Sequence, residues 1–421
     1  MKQRTKRLCA ACLAAMMLPL GACAGEQVVS PQRQQVEITF SWWGNDRRNE
    51  YTLEAVRKFE KLHPEIKVKC SYSEWSGFEA RTNVRMASNT EADVMQVNFN
   101  WLGMYSPDGT GYYDLEALTD ILDLSQFSED TLSYGRVNGI LNAVPIAMNT
   151  ETVYFNRTIL DRYGLDVPKT WDDLFAAAEV LREDDIYILA GAQKSIWLLL
   201  LAYAEQVQGK SFLDSSGNLQ FTPDDFQVML EMYEKMIDEK VIPQIEYFLR
   251  TEIDSGRYAG AVAWVSDAVN YFSTVIENGQ EIVVAPYTDT DPAHSGKGWY
   301  AKPASLYAVS RNTQQPKEAA MLLEFLLNSE DMALLQGVEK GVPVSEAAKE
   351  YLEEADQLKG IQYEASQRME KTAGLATISP VMEDSTVIEA FIECCNQVLF
   401  EKAAPAEAAQ TLWQAVRDTM A

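Results

Sequence analysis

The amino-terminal part of the chain alternates strand-like and helix-like patterns of apolar residues. Apolar and polar side chains alternate over residues 36–41, as in a strand with one more buried face. Leu53, Val56 and Phe59 then recur at helical spacing until Pro64 ends the helix. A second strand, a second helix and a third strand follow at 65–72, 77–87 and 92–98. This order predicts right-handed crossovers and a parallel sheet covered on both faces.

The remaining chain continues the alternation with longer helices. Strand patterns occupy residues 143–145, 152–155, 186–192, 261–265, 282–285 and 306–310. Helical patterns occupy residues 170–182, 196–207, 223–239, 316–327, 345–358, 386–400 and 405–420. Thr170 and Asp173 precede an apolar face at the spacing of a capping box. A chain of 421 residues with this pattern predicts an α/β fold with two lobes, each with its own core.

The first 35 residues have a different character. Four basic residues precede the apolar run 8–20, which is the layout of a secretion signal and too short to span a membrane. Leu20-Gly21-Ala22-Cys23 resembles a bacterial lipobox, which predicts a lipid on Cys23; the alternative is an ordinary signal peptide that contains a cysteine. We therefore predict a signal peptide at 1–22, a lipidated tether at 23–36, and a protein held at the outer face of the cell membrane.

Charge narrows the choice of partner. The chain has 62 acidic and 36 basic residues, a formal charge of −26, and loss of the four basic signal residues takes it to −30. A phosphate backbone must be met by a basic surface, so this composition excludes nucleic acid as the partner. It also disfavours adsorption of the folded domain on anionic lipid.

The cysteines predict neither a disulfide scaffold nor a metal site. Two of the six leave with the signal peptide and one is the predicted lipid site, so Cys70, Cys394 and Cys395 remain. Their spacing matches no zinc motif. Buried thiols are the expectation, and a bridge from Cys70 to either of the others stays open.

Catalytic motifs are absent from the sequence. His63 and His294 are the only histidines, and neither lies in a metal-binding pattern. Neither a nucleophile elbow nor a phosphate-binding glycine loop occurs. Paired acids such as Asp184-Asp185 arise by chance in so acidic a chain, and they suit solvated surfaces better than acid–base catalysis. We predict no enzymatic activity, no cofactor and no metal.

Tryptophans follow each of the first three predicted strands. They are Trp42, Trp43, Trp75 and Trp101. Carboxyl ends of parallel strands meet at one edge of the sheet, where ligands bind. An indole face offers a flat apolar surface to the C–H face of a sugar ring, whereas the alternative role of each ring is core packing. Polar side chains that could bind ring hydroxyls lie alongside, namely Arg48, Asn98 and Asn100.

Short motifs recur in a fixed order along nearly the whole mature chain. They include residues 41–44 (SWWG), 59–68 (FEKLHPEIKV), 92–96 (ADVMQ), 164–174 (GLDVPKTWDDL) and 341–344 (GVPV). Together they resemble the family 1 extracellular solute-binding proteins, the carbohydrate receptors of ABC importers. The resemblance implies a periplasmic-binding-protein-like fold, with a mainly parallel sheet and flanking helices in each lobe and the ligand cleft between lobes. It implies a monomeric, non-enzymatic receptor that closes on an oligosaccharide and delivers it to the transmembrane subunits of a permease.

The same resemblance suggests lobe boundaries and a ligand class. Lobe 1 is predicted at 37–147 and 277–327, and lobe 2 at 148–276 and 328–421. Residues 41–44 and 93–114, with Arg48, Trp75 and Arg81, look most similar to oligogalacturonide-binding receptors. An acidic sugar needs cations, so Arg48 and Arg81 are predicted ligand residues, with surface ion pairs as their alternative role. On the opposite wall the resemblance implies Trp264, Asp267, Trp299, Tyr300 and Lys302.

Two other functions stay open at this point. A receptor for a neutral oligosaccharide would use the same tryptophans, with the arginines at the surface. A secreted glycosidase or polysaccharide lyase would need a pair of acids, or a basic residue with calcium, deep in a cleft. The sequence shows no such arrangement, so this second alternative is the weaker one.

Overall fold

The computed structural model describes residues 35–291, 296–372 and 375–421. Its strands are β1 (Val36–Trp43), β2 (Ile66–Ser73), β3 (Val94–Val97), β4 (Arg136–Val137), β5 (Ile140–Leu141), β6 (Ala143–Asn156), β7 (Gly260–Trp264), β8 (Ile282–Val284), β9 (Tyr300–Val309) and β10 (Ala376–Thr377). The predicted signal peptide, Cys23, the tether up to residue 34, and His294 lie outside the described residues.

Helices occupy most of the predicted helical segments. They are α1 (Asp46–Leu62), α2 (Phe78–Ser88), α3 (Asn100–Tyr105), α4 (Glu129–Ser133), α5 (Arg157–Arg162), α6 (Trp171–Leu181), α7 (Gln193–Gln208), α8 (Pro223–Asp238), α9 (Ala268–Glu277), α10 (Pro316–Asn328), α11 (Glu330–Gln336), α12 (Glu346–Glu354), α13 (Ile361–Lys371), α14 (Ser385–Leu399) and α15 (Pro405–Met420). The capping box of Thr170 and Asp173 at the start of α6 is confirmed.

One mixed sheet runs through the described chain and confirms the α/β class. Its order is β2-β1-β3-β9-β6-β7, with β8 paired to β6 and β10 to β9. Strands β1, β2 and β3 pair in parallel, as predicted. Strand β9 runs antiparallel to both β3 and β6, and β6 runs antiparallel to β7. The predicted strand at 186–192 makes only isolated bridges at Tyr187 and Gly191.

Two large hydrophobic cores flank the middle of the sheet. The first includes Phe40, Phe59, Leu323 and their neighbours, and the second includes Trp197, Phe226 and Phe391. Strand β6 is 14 residues long and serves both, because its first half packs in the first core and its second half in the other. The predicted lobe boundaries stay a prediction; Ala285, Tyr287 and Trp299, which it assigned to lobe 1, pack in the second core.

The strands between the two cores are irregular at one level. The β6–β9 register shifts between Pro145 and Met148. A loop packs there, since the N–H of Val344 donates to the carbonyl oxygen of Ile146 at 3.1 Å. Gly341 in this loop has φ +105°, and a Cβ at this position would lie 2.7 Å from the Cβ of Ala147. The backbone at this level therefore requires glycine.

Cys70, Cys394 and Cys395 are free thiols, so the bridge left open for Cys70 is not formed. Cys394 and Cys395 lie on α14 inside the second core.

Within the described part of the chain, the helices lack the length and apolar character needed to cross a bilayer.

Candidate ligand-binding site

A cleft of about 1110 Å³ lies between the two cores, at the carboxyl ends of the first three strands. Of the predicted site residues, it is lined by Trp43, Arg48, Trp75, Asn98, Asn100, Trp101, Trp264, Asp267 and Lys302. Residues that the sequence analysis missed also line it, namely Glu79, Gly103, Met104, Asn149, Lys194, Arg250, Ser266, Ala304, Pro380, Glu383, Asp384 and Ser385. The cleft is therefore large enough for an oligosaccharide and mixed in chemistry.

Three tryptophans from successive strand ends form one aromatic wall. The ring of Trp43 meets that of Trp75 edge-on at 5.1 Å and that of Trp101 at 5.7 Å. Trp75 and Trp101 stack at 5.8 Å, and 41% of Trp75 is exposed. Trp101 is buried behind them, and its Nε1 donates to Glu79 at 3.2 Å. Trp43 and Trp75 thus present indole surface to the cleft, while their role in binding stays a prediction.

Trp42 does not belong to this wall, and its predicted place in the site was wrong. It is fully buried, stacks on Tyr72 at 4.7 Å, and donates from Nε1 to Asn49 at 3.0 Å. Successive side chains of a strand point to opposite faces of the sheet. Trp43 faces the cleft, so Trp42 must face the first core.

The two predicted arginines have different positions. Arg48 lines the cleft, but its Nε lies 2.8 and 2.9 Å from the carboxylate oxygens of Glu339, which also accepts from the Tyr51 hydroxyl at 3.0 Å. Arg48 thus forms an ion pair at the cleft wall, and its role in ligand binding stays a prediction. Arg81 lies on α2 outside the cleft lining, with its guanidinium bonded to Ser73, which corrects its predicted place in the site.

A buried lysine lies next to the Arg48–Glu339 pair. The ammonium group of Lys340 donates to Tyr307 at 3.1 Å and to Gln96 at 3.3 Å. Burial lowers the pKa of Lys340 to about 7, and the nearby Arg48 cation acts in the same direction. Lys340 is therefore bonded to Tyr307 and Gln96 and does not itself bind Arg48 or Glu339.

Two lysines share one carboxylate in the second half of the cleft. The ammonium of Lys302 lies 2.6 Å from both Glu383 oxygens, and that of Lys194 lies 2.7 Å from one of them. Burial acts to raise the pKa of Glu383, but the two lysines outweigh it and hold the pKa below its ordinary value. The same ammonium groups stand 4.6 and 5.3 Å from the ring centroid of Trp264. The ring of Trp264 is thus already in cation–π contact.

Arg250 also lines the cleft, and it differs from the other basic residues there in its contacts. It is exposed, its guanidinium stands 5.9 Å from the ring centroid of Tyr271, and it forms no ion pair within the described residues. It lies in an irregular segment after α8, where no periodic pattern marks it. Lys194, also missed, lies in the first turn of α7.

The remaining polar groups of the cleft are mostly engaged. Asn149 on β6 and Ser266, in the turn after β7, bond each other at 3.0 and 3.1 Å. Asp267 accepts from Asn270 at 3.2 Å. The side-chain oxygen of Asn98 accepts from the backbone of Asn100. The side-chain oxygen of Asn100 is buried and lacks a hydrogen-bond partner among the described residues.

Trp299 and Tyr300 do not reach the cleft, which corrects their predicted place there. Trp299 directly precedes β9 and Tyr300 is its first residue, and both are buried in the second core. Nε1 of Trp299 donates to the carbonyl oxygen of Thr288 at 3.1 Å, and the Tyr300 hydroxyl bonds Glu205. Lys302, two residues further along the strand, is the first of this segment to line the cleft.

One buried acid close to the cleft was not anticipated from the sequence. Glu151 lies on β6 opposite Trp264 of β7, and one carboxyl oxygen accepts from Ser195 at 2.8 Å. Burial raises the pKa of Glu151 to about 8, which favours the protonated form at neutral pH. A protonated acid adds no negative charge behind Lys194 and Lys302.

Comparison with known proteins identifies the family. Residues 54–361 match the model of the bacterial extracellular solute-binding proteins. The chain belongs to this family. The predicted resemblance to the sugar-binding receptors of ABC importers is confirmed, and so is a location outside the cytoplasm.

Solved structures cover nearly the whole fold. A periplasmic oligogalacturonide-binding protein from Yersinia enterocolitica, in complex with saturated digalacturonic acid, is 31% identical with a TM-score of 0.83. A periplasmic solute-binding protein from Pectobacterium atrosepticum is 29% identical with a TM-score of 0.84. Each comparison covers 91% of this chain and 98% of the other. The two-lobed architecture predicted from the sequence is shared with these proteins.

Curated relatives match over shorter stretches. An uncharacterised ABC transporter extracellular-binding protein of Pyrococcus horikoshii is 29% identical over 39% of each chain. A multiple sugar-binding protein of Streptococcus mutans is 24% identical over 41% of each chain. The chain therefore spans about two fifths of the length of these relatives, and the ligand is a matter for proposal.

Proposed function

We propose that this solute-binding protein captures a uronate-containing oligosaccharide outside the cell and delivers it to the transmembrane subunits of an ABC importer. The cleft between the two cores offers an aromatic wall for sugar rings and polar side chains for hydroxyls. A monomer anchored through a lipid on Cys23 and the tether that follows is part of this proposal.

The position of Arg250 in the cleft is the observation that favours an acidic ligand. In a chain with a formal charge of −26, the cleft is lined by four basic residues, Arg48, Lys194, Arg250 and Lys302. Three of them are held by Glu339 or Glu383, and Arg250 is exposed to the cleft without such a partner in the described structure. A planar guanidinium can bind a carboxylate with two hydrogen bonds. The bound digalacturonic acid of the Yersinia protein supports the same ligand class.

A neutral oligosaccharide remains the second candidate, because carboxylates pair with three of the four basic residues of the cleft. Glu383 neutralises part of the charge of Lys194 and Lys302, and Glu339 that of Arg48. If Arg250 serves only solubility, the wall of Trp43 and Trp75 would suffice for uncharged rings.

The acids of the cleft support binding rather than hydrolysis. A glycosidase needs a general acid whose pKa is raised. Glu383 has a lowered pKa and is held by two lysines, and Asp384 caps α14 by accepting from the backbone of Thr386. Glu79 accepts from Trp101. These acids are bound to the protein's own groups. Glu151, whose pKa is raised, is buried and does not line the cleft. Both observations support a non-enzymatic receptor.

Calorimetry tests the ligand class. Galacturonate oligomers of two to four units and neutral oligosaccharides of matched length are titrated into wild-type protein and Arg250→Ala. We expect the uronates to bind and the variant to weaken them by about 1.5–3 kcal/mol, as expected for loss of a charged hydrogen bond. Arg257→Ala is the matched control, because Arg257 is also exposed beside a tyrosine ring but lies outside the cleft. Tight binding of neutral sugars alone would establish the second candidate instead.

A further inference from the structure

A second cavity borders the cleft and is not explained by the proposed ligand site. This side groove has a volume of about 610 Å³ and shares Lys194, Arg250, Glu383 and Ser385 with the cleft. It lies between the segment 245–250 and the first turns of α7 and α14. Because Arg250 lines both cavities, a ligand group bound at Arg250 lies at the border between the cleft and the side groove.

The inner wall of the groove is apolar and aromatic. The rings of Phe248 and Tyr271 stack at 6.3 Å and 23°, and both are buried. Leu249 and Ile388 complete this wall, and Leu249 is 55% exposed. Such a surface suits the C–H face of one more sugar ring or an apolar substituent on it.

Apart from Arg250, the charged residues of the groove that lack an ion-pair partner in the described structure are acidic. Glu246 and Glu389 are both exposed and line the groove, and neither forms an ion pair within the described residues. Glu383 is different, since Lys194 and Lys302 neutralise it. A sugar carboxylate in the groove would face two unpaired carboxylates, which costs free energy. Carboxylates do accept hydrogen bonds from the hydroxyls of an uncharged sugar.

We propose that the side groove binds an uncharged sugar unit joined to a uronate whose carboxylate is held at Arg250. The ligand is then a mixed oligosaccharide, in which uronate and neutral sugar are linked, and not a chain of uronates alone. This inference rests on the proposed function and names the substrate class of the same site. The positive charge of Arg250 favours a uronate beside it, and the negative charges of Glu246 and Glu389 favour an uncharged sugar in the groove.

Two tetrasaccharides of equal length test the inference by calorimetry. One is a galacturonate tetramer, and the other alternates galacturonate with rhamnose. We expect the wild-type protein to bind the alternating tetramer about tenfold more tightly, because two carboxylates repel a charged unit in the groove. The double variant Glu246→Gln/Glu389→Gln should tighten galacturonate tetramer binding by about threefold or more, because the charge repulsion is removed, and it should not tighten binding of the alternating tetramer.

A matched control separates the groove from the net charge of the protein. Glu277→Gln/Glu393→Gln removes the same two charges from exposed positions outside the cleft and groove, and it should change neither affinity. Equal or tighter binding of the galacturonate tetramer by wild-type protein would overturn the inference and leave the uronate receptor standing. An unchanged preference in Glu246→Gln/Glu389→Gln would overturn it as well. Failure of both tetramers and of the galacturonate dimer to bind would overturn the proposed function and, with it, the inference.

Discussion

Adjacent tryptophans on β1 provide a direct test of the aromatic wall, since they face opposite sides of the sheet. Trp43 lines the cleft beside Trp75, whereas Trp42 is fully buried in the first core. Trp43→Ala should weaken oligosaccharide binding by about 1–3 kcal/mol, through loss of a stacking surface. Calorimetry with the oligosaccharide that binds wild-type protein most tightly measures this change.

Trp42→Ala is the companion variant, with the opposite outcome. Its loss leaves a large cavity in the core, so the free energy of unfolding should fall by about 3–5 kcal/mol in urea denaturation. Trp43→Ala should show a much smaller loss of stability. If Trp43→Ala binds sugar as tightly as wild-type protein does, the ring of Trp43 has no part in recognition.

Elements with a clear period were predictable from the sequence. The helical repeat of Leu53, Val56 and Phe59 gave α1, and the capping box gave the start of α6. The long β6 was split into two predicted strands, because buried crossing strands lack polar alternation: nearly all of its 14 residues are buried. Helices α9 and α13 were missed, although α9 packs its apolar face into the core around Tyr154.

Site residues were predictable where they follow a strand and not where tertiary packing decides. Trp43, Trp75 and Trp101 were found because parallel strands end at a common edge. The alternation of β1 also contained the information that only one of Trp42 and Trp43 can face the cleft. Lys194 and Arg250 carry no motif. The carboxylate partner of Lys194, Glu383, lies 189 residues further along the chain. Such groups emerge only from the folded chain.

Gly341 tests the backbone between the two cores. A side chain there meets the Cβ of Ala147, where the β6–β9 register shifts. Gly341→Ala should therefore lower the free energy of unfolding by about 1–3 kcal/mol, through steric contact added to an unfavourable φ. Urea denaturation measures the loss.

Gly139→Ala is the matched control for backbone strain alone. Gly139 has φ +83° in the turn between β4 and β5, and a Cβ there would meet nothing within 4 Å. Its substitution should cost about 1 kcal/mol. An equal loss in the two variants would show that the contact with Ala147 is relieved by a small shift, and that this level of the fold is not tightly packed.

The charge of the whole molecule and the charge of its cleft oppose each other. The formal charge of −26 repels an anionic ligand at long range, whereas Arg250 acts only within the cleft. Salt screens exposed charges beyond about 10 Å at 0.1 M ionic strength. The distant repulsion is therefore weakened by salt more than the short contact with Arg250.

Association kinetics distinguish the two fields. We expect the association rate of a galacturonate oligomer to rise as ionic strength increases from about 0.01 to about 0.1 M, because screening removes the long-range repulsion. The rate for a neutral oligosaccharide should stay constant. Stopped-flow tryptophan fluorescence can follow both, since Trp43 and Trp75 line the cleft. Arg250→Ala should keep the salt slope while raising the dissociation rate. An association rate that falls as salt is added would contradict this expectation. It would mean that the cations of the cleft attract the ligand from a distance more strongly than the acidic surface repels it. Charge would then select the ligand at the encounter step, before its carboxylate is bound.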